Sequence, residues 1–414
     1  MIGLATALLL SAAPPPTAGH AQSQSDGQTV VVTGVRIPDY RARLKACLER
    51  DCPPDEDIEA SLALAEALFL DGDYSGARRT IRASLGRNRG EARGYPEPVS
   101  DLYRAHARVS RHLGFDRDAA LAVRDSLRAL QAGLPVEDHR HFTVRLEIAQ
   151  SLLAFGRYRE AEDELRRLAE LARKAGREDL VATAELRRLW VNYAEDPAGP
   201  TLRKVTELSQ STDPALAMQA PGARMLLARI YRERGETEKA DALAAGMGRA
   251  TGQRQLIYAP VYDLSQISDP GGASSRSLQM AANAINEGGK ALLTSNLADR
   301  LTDNFDDKWI DVSFWITPEG RVEALEVVRR GKSGSNWAAP LLRSIAGRRY
   351  SPDAAGQRTH RLERYTYTSE QWATGVGSRI GQRSPSARVE YLDLTAQLAG
   401  DGRSLAPRSG LQRP

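Results

Sequence analysis

Residues that carry chemistry are scarce in this chain of 414 residues, which has only two cysteines and six scattered histidines. No glycine-rich loop stands in the strand-to-helix context that would cradle a phosphate. Neither a Gly-x-Ser-x-Gly elbow nor a Ser-x-x-Lys nucleophile motif occurs in a fold that would support it. We therefore expect no catalytic residues, no metal site and no cofactor, and we predict that the protein is not an enzyme.

One cluster of metal-ligand residue types follows Pro135 and lies between two helical segments. It consists of Glu137, Asp138, His139 and His141. Zinc sites usually draw on cysteines or on a ligand from a distant part of the chain, and neither is implied here. We interpret the cluster as a solvated loop.

Dense basic segments are also absent, because the formal net charge is only +4 and the isoelectric point is about 9.0. Proteins that bind nucleic acids usually concentrate their basic residues in a stripe or patch. The mild excess here predicts a solvated, arginine-rich surface and no nucleic-acid partner.

Long hydrophobic runs are missing beyond the N-terminus. Residues 2–13 form an uninterrupted run of apolar and small residues, shorter than the roughly 20 residues that span a bilayer. Prolines at 14–16 end the run, and Gly19 and Ala21 are small residues at the positions a signal peptidase reads. We predict a signal peptide over residues 1–21 and a soluble periplasmic protein, although no Lys or Arg precedes the run.

The two cysteines, Cys47 and Cys52, lie within an expected N-terminal arm of residues 22–54. Four residues separate them, so they do not form the Cys-x-x-Cys redox motif. A nearby pair in an exported protein favours a structural disulfide, with two small buried thiols as the alternative.

An internal repeat runs through residues 55–252, which we expect to be helical. Gly72, Gly114 and Gly156 are 42 residues apart, Gly199 follows 43 residues later, and Gly235 follows 36 residues after that. Four of these glycines, Gly72, Gly114, Gly156 and Gly235, share a pattern of neighbours. Each has a small residue seven positions before it, another small residue five positions after it, and an aromatic or polar residue two positions after it. In that order the three sets are Ala65, Ala107, Ala149 and Ala228; Ala77, Ala119, Ala161 and Ala240; and Tyr74, Asp116, Tyr158 and Thr237.

This spacing fits two antiparallel helices that are joined by a tight turn. Glycine adopts the left-handed conformation that ends the first helix, and the alanines let the two helices cross closely. The pattern resembles the tetratricopeptide (TPR) repeat, which has about 34 residues in its common form. The resemblance implies a mainly α fold, a TPR-like α-solenoid of helical hairpins with a concave protein-binding surface. A random amphipathic bundle is the alternative, and the copy at residues 196–199 is degenerate.

The helical period is lost between residues 253 and 308. Residues 256–264 have a strand-like composition, but Pro260 would restrict them to a sheet edge. Residues 275–285 and 290–301 look helical.

A period of two begins at Trp309 and lasts to Ile316. Ile310, Val312 and Phe314 would face one way, and Asp311 and Ser313 the other. We predict that this strand is followed by a turn at 318–320, a strand over 322–328, a helix over 336–346 and a strand over 361–368.

This order of elements resembles the C-terminal domain of the TonB family. The matching positions are the Pro-Glu-Gly turn at 318–320, Val322, and the aromatic-x-Pro exit at 350–352. Pro340 departs from the pattern, since a proline inside a helix is tolerated only in the first turn. The resemblance implies a small α+β TonB C-terminal-like domain over residues 253–372.

The Gly-, Ser-, Pro- and Arg-rich residues 373–414 are expected to be a disordered tail.

The resemblance also implies a sheet edge that accepts an added strand. We place this edge on residues 361–368. The candidate partner-binding residues there are Arg361, Glu363, Tyr365 and Tyr367.

A short N-terminal segment resembles the TonB box, the peptide that outer-membrane receptors offer to TonB. Residues 28–34 read Gln-Thr-Val-Val-Val-Thr-Gly, with Gln28 in place of the usual acid. A β-branched stretch is suited to joining a sheet edge, and a strand-prone arm without a partner is the alternative. The expected contact residues are Thr29, Val30, Val31, Val32 and Thr33.

Together these features predict a periplasmic adaptor that binds protein or peptide partners, with a link to TonB-dependent outer-membrane transport. TonB-dependent receptors or a TonB-type domain are the expected partners. An energy-transducing TonB-family protein is one alternative, although we find neither a membrane anchor nor a long proline-rich segment. A cell-envelope structural protein that binds peptidoglycan is the other.

Overall fold

The computed structural model describes residues 37–154, 156–197, 199–217, 219–247, 254, 256–260, 307–332, 337–353, 355–372 and 382–395. The expected signal peptide, the TonB-box-like segment and the two expected helices at 275–285 and 290–301 lie outside these residues. Among the helices that the structure describes, none is long and apolar enough to cross a membrane.

The described part of the chain is mainly helical with a small antiparallel sheet near the C-terminus, which confirms the mainly α part of the predicted fold class. Before the first strand, the helices in the described ranges are α1 (Ile37–Glu49), α2 (Pro54–Asp71), α3 (Tyr74–Asn88), α4 (Pro96–His112), α5 (Asp116–Gly133), α6 (His139–Ala154), α7 (Tyr158–Lys174), α8 (Glu178–Glu195), α9 (Thr201–Gln210), α10 (Ala220–Glu233) and α11 (Thr237–Met247). From α2 onward they follow one another as antiparallel hairpins, α2 with α3 and so on to α10 with α11.

The turns inside these hairpins have the backbone that the repeat pattern predicts. Gly72, Gly114, Gly156 and Gly235 have φ values of 95°, 81°, 67° and 77°, in the left-handed region. Gly199 is not among the positive-φ glycines, so the fourth hairpin turns differently. The alanines that flank the four left-handed turns are all buried: Ala65, Ala77, Ala107, Ala119, Ala149, Ala161, Ala228 and Ala240. Small side chains at these positions let the paired helices pack closely.

Within the expected N-terminal arm, residues 37–49 form helix α1. Ile37, Tyr40 and Leu44 pack against the apolar core of the first two repeats. This burial stabilises the helix, because an isolated segment of this length would be marginal in water. A disulfide joins Cys47, near the end of α1, to Cys52, just before α2.

Among the described residues, the C-terminal part contains strands and one more helix. They are β1 (Leu256–Tyr258), β2 (Trp309–Ile316), β3 (Val322–Arg330), helix α12 (Ala338–Ala346), β4 (Arg349–Tyr350), β5 (Thr359–Trp372) and β6 (Gln382–Asp393). β1 and β4 form a two-stranded sheet, and the other four strands form an antiparallel sheet in the order β3-β2-β5-β6. Pro340 lies in the first turn of α12, where its missing N–H is tolerated.

Strand β6 contradicts the prediction that all of residues 373–414 are disordered. Residues Glu363 to Ser369 of β5 pair with Asp393 to Ala387 of β6 without a shift of register. Composition alone concealed this strand, because glycines, serines and prolines surround it in sequence. Pairing with β5 supplies the backbone hydrogen bonds that composition does not reveal.

Both faces of strand β2 are buried along most of its length. Ile310, Val312 and Phe314 are buried with α12, as their alternation predicts. Asp311 and Ser313 on the other face are buried too. The helical repeats cover the part of that face around Asp311, where buried charged and polar side chains join the repeats to the sheet.

Candidate functional site along the repeat turns

Arg364 of β5 binds the end of helix α2 at the first repeat turn. Its Nη1 donates to the carbonyl oxygen of Phe69 at 2.5 Å, and its Nη2 donates to that of Leu70 at 2.8 Å. Its Nε lies 2.7 Å from Oδ1 of Asp311. Burial alone would lower the pKa of Arg364, but Tyr74 and Asp311 raise it above its ordinary value. The guanidinium is therefore a permanent charge with all its partners inside the protein.

Two side chains of the repeats, Tyr74 and His112, contact Thr366, which lies two residues farther along β5. The Thr366 hydroxyl is 2.9 Å from the hydroxyl of Tyr74 and 2.8 Å from Nδ1 of His112. Phe69 stacks on Tyr74 with ring centroids 4.6 Å apart, and the ring of His112 meets Phe69 edge-on at 4.9 Å. Burial raises the pKa of Tyr74 to about 12 and lowers that of His112 to about 3. Both groups are neutral in the folded chain.

Trp309, the first residue of β2, closes the same turn from the side. A Cβ atom at Gly72 would lie 2.5 Å from Nε1 of the Trp309 indole, so only glycine fits there. The Trp309 ring also lies 4.0 Å from the guanidinium carbon of Arg364. The turn glycine thus serves two purposes, a left-handed backbone and close contact with the sheet.

The second repeat turn is bound by β5 and β6 together. The backbone N–H of Gln371 donates to the carbonyl of Gly114 at 2.8 Å. Arg388 of β6 pairs with Asp116, the first residue of α5, with Nη1 and Oδ2 2.7 Å apart. Arg388 also donates to the carbonyl of Arg111 at 3.2 Å.

The backbone of β5 touches the second turn directly. A Cβ atom at Gly114 would lie 1.9 Å from the carbonyl oxygen of Ser369. Arg383 of β6 donates to the carbonyl of Leu113 at 3.4 Å, and Arg111 pairs with Glu390 at 2.9 Å. Carbonyls at the end of a helix have no partner within it and carry the negative end of the helix dipole. Arginines from the sheet satisfy both needs at α2 and α4.

The third repeat turn has the same backbone, and no sheet covers it in the part of the chain that the structure describes. Within the described residues, a Cβ atom at Gly156 would meet nothing within 4 Å. Tyr158, which occupies the position of Tyr74 in the repeat, is 39% exposed, whereas Tyr74 is 0% exposed. The fifth turn at Gly235 is open in the same way, with the exposed Thr237 at that position.

The predicted sheet edge over residues 361–368 is wrong. β5 lies inside the sheet, with β2 on one side and β6 on the other. Glu363 accepts from Arg348 at 2.7 Å, and the Tyr365 hydroxyl accepts from the same guanidinium at 2.7 Å. Arg361 pairs with Asp393 of β6 at 2.7 Å, and Tyr367 stacks on Trp337. All four side chains therefore contact other residues of the same fold, and none of them lies on a sheet edge.

In the described part of the chain, the one group of possible metal ligands includes the two cysteines of the disulfide. Cys47, Cys52 and Glu56 lie close enough together, but the two sulfur atoms are bonded to each other. His141 is buried, with Nδ1 3.1 Å from the Val136 carbonyl, while His139 is exposed beside Asp138. The proposed contact residues 29–33 lie outside the described residues.

Sequence reasoning missed the residues that join sheet to repeats, chiefly Asp311, Arg364 and His112. The alternation in β2 placed Asp311 and Ser313 opposite the apolar face but did not indicate what covers their side. Two tryptophans, Trp309 and Trp315, share that face of β2 with Asp311. Large aromatic residues on that second face were the available signal that another layer covers it.

Neither a protein-family model nor a curated protein matches this chain. Among solved structures, a Podosopora anserina protein with nearly identical TPR-like repeats of kinesin-light-chain type is similar at 15% identity and a TM-score of 0.36. That match covers 47% of this chain and 93% of the other. BtubC (BKLC) from P. vanneervenii is similar at 16% identity over 55% of this chain and 96% of the other, with a TM-score of 0.38.

A Rap protein, solved in complex with competence and sporulation factor, is similar at 13% identity and a TM-score of 0.33. The match covers 51% of this chain and 63% of the Rap chain. The TPR type of the repeats rests on the spacing, the left-handed turns and the buried alanines described above.

Proposed function

We propose that this chain is a periplasmic scaffold that binds other proteins through its helical repeats and is not an enzyme. The observation that carries the proposal is the contrast between Tyr74 and Tyr158. Two repeat turns bind the sheet of the same chain, and the third presents the same turn with its aromatic residue uncovered. Tyrosine is enriched among the residues that contribute most to the binding energy of protein interfaces.

The experiment compares Tyr158→Ala with a matched change elsewhere on the repeats. Leu121→Ala on α5 is the control, because Leu121 is 46% exposed. Each variant would be cross-linked in a periplasmic extract and its captured proteins identified. We expect Tyr158→Ala to lose partners that the wild type and Leu121→Ala retain. Equal capture by all three proteins would overturn the proposal.

The periplasmic location is part of the same proposal and rests on the N-terminal sequence. The short apolar run and the Gly19–Ala21 pattern support cleavage after Ala21. N-terminal sequencing of the protein from an envelope fraction should find Gln22 as the first residue. Intact Met1 in the inner membrane would contradict this and favour the energy-transducing alternative.

A second candidate function is strand addition in TonB-dependent transport. The edge strand β6 favours it, because a regular edge can pair with an added strand. Within the described residues, β6 pairs only with β5, and its register is regular from Ala387 to Asp393. β3, the other edge, has two register shifts against β2, and such irregularities hinder pairing with another strand. We therefore move the proposed edge from β5 to β6, where Tyr391 is half exposed.

The TonB-box-like segment gives this second function a direct test. A labelled peptide of residues 28–34 would be titrated against a purified TonB-type domain, against this chain, and against this chain without residues 22–37. Val30→Pro removes a backbone donor and should abolish binding, whereas Val30→Ala should weaken it far less. If neither parent nor variants bind, the segment has no such role. Binding of the chain to purified peptidoglycan would favour the cell-wall alternative.

A further inference from the structure

We propose that the third repeat turn binds a β-strand that carries an arginine followed two residues later by a serine or threonine. The inference rests on the proposed function, since it names the partner chemistry of the open turn. It uses the contacts of the first two turns as a template for the third, which is next in the row of repeats. The third turn is thus continuous with an interface that the chain already forms.

The same backbone carbonyl can be identified in each turn, because it accepts a hydrogen bond from the N–H of the turn glycine. The turn glycines Gly72, Gly114 and Gly156 donate their N–H groups to the carbonyls of Phe69, Arg111 and Leu153, each at 3.0 Å. At the two covered turns that carbonyl also accepts from a sheet arginine: Phe69 from Arg364 and Arg111 from Arg388. The Leu153 carbonyl is the third member of this series. Within the described residues it has no such second donor.

Arginine is the donor that this geometry requires. At the first turn one guanidinium reaches two successive carbonyls, those of Phe69 and Leu70, and a carboxylate at the same time. The planar fork of arginine makes such contacts together, whereas the single ammonium group of lysine does not. The dipole of α6 also favours a cation at this end of the helix.

A hydroxyl two residues after the arginine fits the aromatic residue of the turn. Thr366 meets the Tyr74 hydroxyl at the first turn. Tyr158 offers the same phenol at the third turn, whereas the fifth turn has Thr237. The third turn therefore has the carbonyl, the glycine and the tyrosine of the first turn together. This combination distinguishes it from the fifth turn, which serves as an internal control.

The probe is a synthetic peptide of residues 359–372, which carries Arg364 and Thr366. Its binding to the full chain would be measured by fluorescence anisotropy, beside a peptide with citrulline at 364 and one with valine at 366. Citrulline keeps the shape of arginine and removes its charge. We expect each replacement to weaken binding at least tenfold. Equal binding of the arginine and citrulline peptides would overturn the proposal.

Variants of the chain locate the site. Tyr158→Ala and Gly156→Ala should each weaken binding of the parent peptide at least tenfold, the second because its Cβ would stand where a strand must approach. Gly235→Ala at the fifth turn is one control and should bind the parent peptide as the wild type does. Tyr158→Phe is the other control, and its affinity for the parent peptide should fall about as much as the affinity of the wild type for the valine peptide. Circular dichroism would establish that each variant is folded.

The possible failures are distinct. A peptide that displaces the chain's own sheet at the first two turns would bind independently of Tyr158 and Gly156, and that result would overturn the inference. If the peptide does not bind while Tyr158→Ala still loses its captured proteins, the scaffold function stands and the arginine chemistry is wrong. If both experiments fail, the third turn is not a binding site.

Discussion

The carboxylate of Asp311 and the guanidinium of Arg364 form an ion pair in which both side chains have no exposed surface. Asp311 is also paired with Arg329 at 2.7 Å. The pair joins β2 to β5 and, through the carbonyls of Phe69 and Leu70, joins both strands to helix α2. Each charge is therefore tolerable only while the others are in place.

Asp311→Asn should strongly destabilise the fold because it leaves the charge of Arg364 buried without compensation. Breaking one partner of a buried pair costs about 3–5 kcal/mol. Glu323→Gln is the matched control, because Glu323 and Arg358 form an ion pair with more than half of each side chain exposed. That pair should contribute less than about 1 kcal/mol. Urea unfolding of the two variants measures the difference, and equal losses would show that the buried pair is not the important contact.

Gly114→Ala should destabilise the chain far more than Gly156→Ala. Both glycines have positive φ, so each alanine meets a backbone strain of about 1–2 kcal/mol. Only at Gly114 does the new Cβ run into the Ser369 carbonyl, at 1.9 Å. Thermal unfolding should show a clearly larger fall in Tm for Gly114→Ala. Identical falls would mean that the sheet does not press on the second turn.

Ala149→Leu and Ala161→Leu should each loosen the third repeat. The two alanines are 1% and 0% exposed. Overpacking at such a crossing costs about 1–3 kcal/mol. Ala83→Leu on the exposed side of α3 is the control and should leave the free energy of unfolding almost unchanged. The repeat register is wrong if all three variants unfold alike.

His112 should make stability depend on pH below neutrality. Burial lowers its folded pKa to about 3, whereas the unfolded value is about 6.5. The unfolded chain therefore gains a proton that the folded chain excludes, so stability is full above pH 6.5 and declines as the pH falls toward 3. We expect a loss of about 2 kcal/mol between pH 7 and 5 from this residue.

His112→Gln isolates that contribution, because glutamine cannot gain the proton. His106, whose pKa burial lowers to about 4, contributes in the same direction and remains in both proteins. The informative quantity is the difference in unfolding free energy between wild type and variant, measured at both pH values. A difference that does not change with pH would contradict the prediction.

The helical repeats and strand β2 could be predicted because their signals are local. Alanines at fixed distances from Gly72 or Gly156 report helix crossing, and the alternation of Ile310, Val312 and Phe314 reports a buried sheet face. These patterns need no knowledge of what lies elsewhere in the chain. The boundaries of β2 were correct to the residue for that reason.

The contact between sheet and repeats could not be predicted in the same way. Arg364 looks like a surface residue in sequence, because nothing near it along the chain indicates that α2 will end against it. β6 was missed because its partners, β5 and Asp116, supply the stabilisation that its own composition lacks. Tertiary burial overrides local preference at both places.

The separation in sequence between the two sides of this contact sets an order of events during synthesis. Arg364 follows Phe69 by 295 residues, and Arg388 follows Asp116 by 272. The first two repeats are complete long before β5 and β6 exist, and closing so long a loop is slow compared with forming a helical hairpin. In that interval Phe69, Tyr74 and the ends of α2 and α4 face water or other chains. The completion of β5 and β6 thus determines when the first two repeats stop exposing this surface.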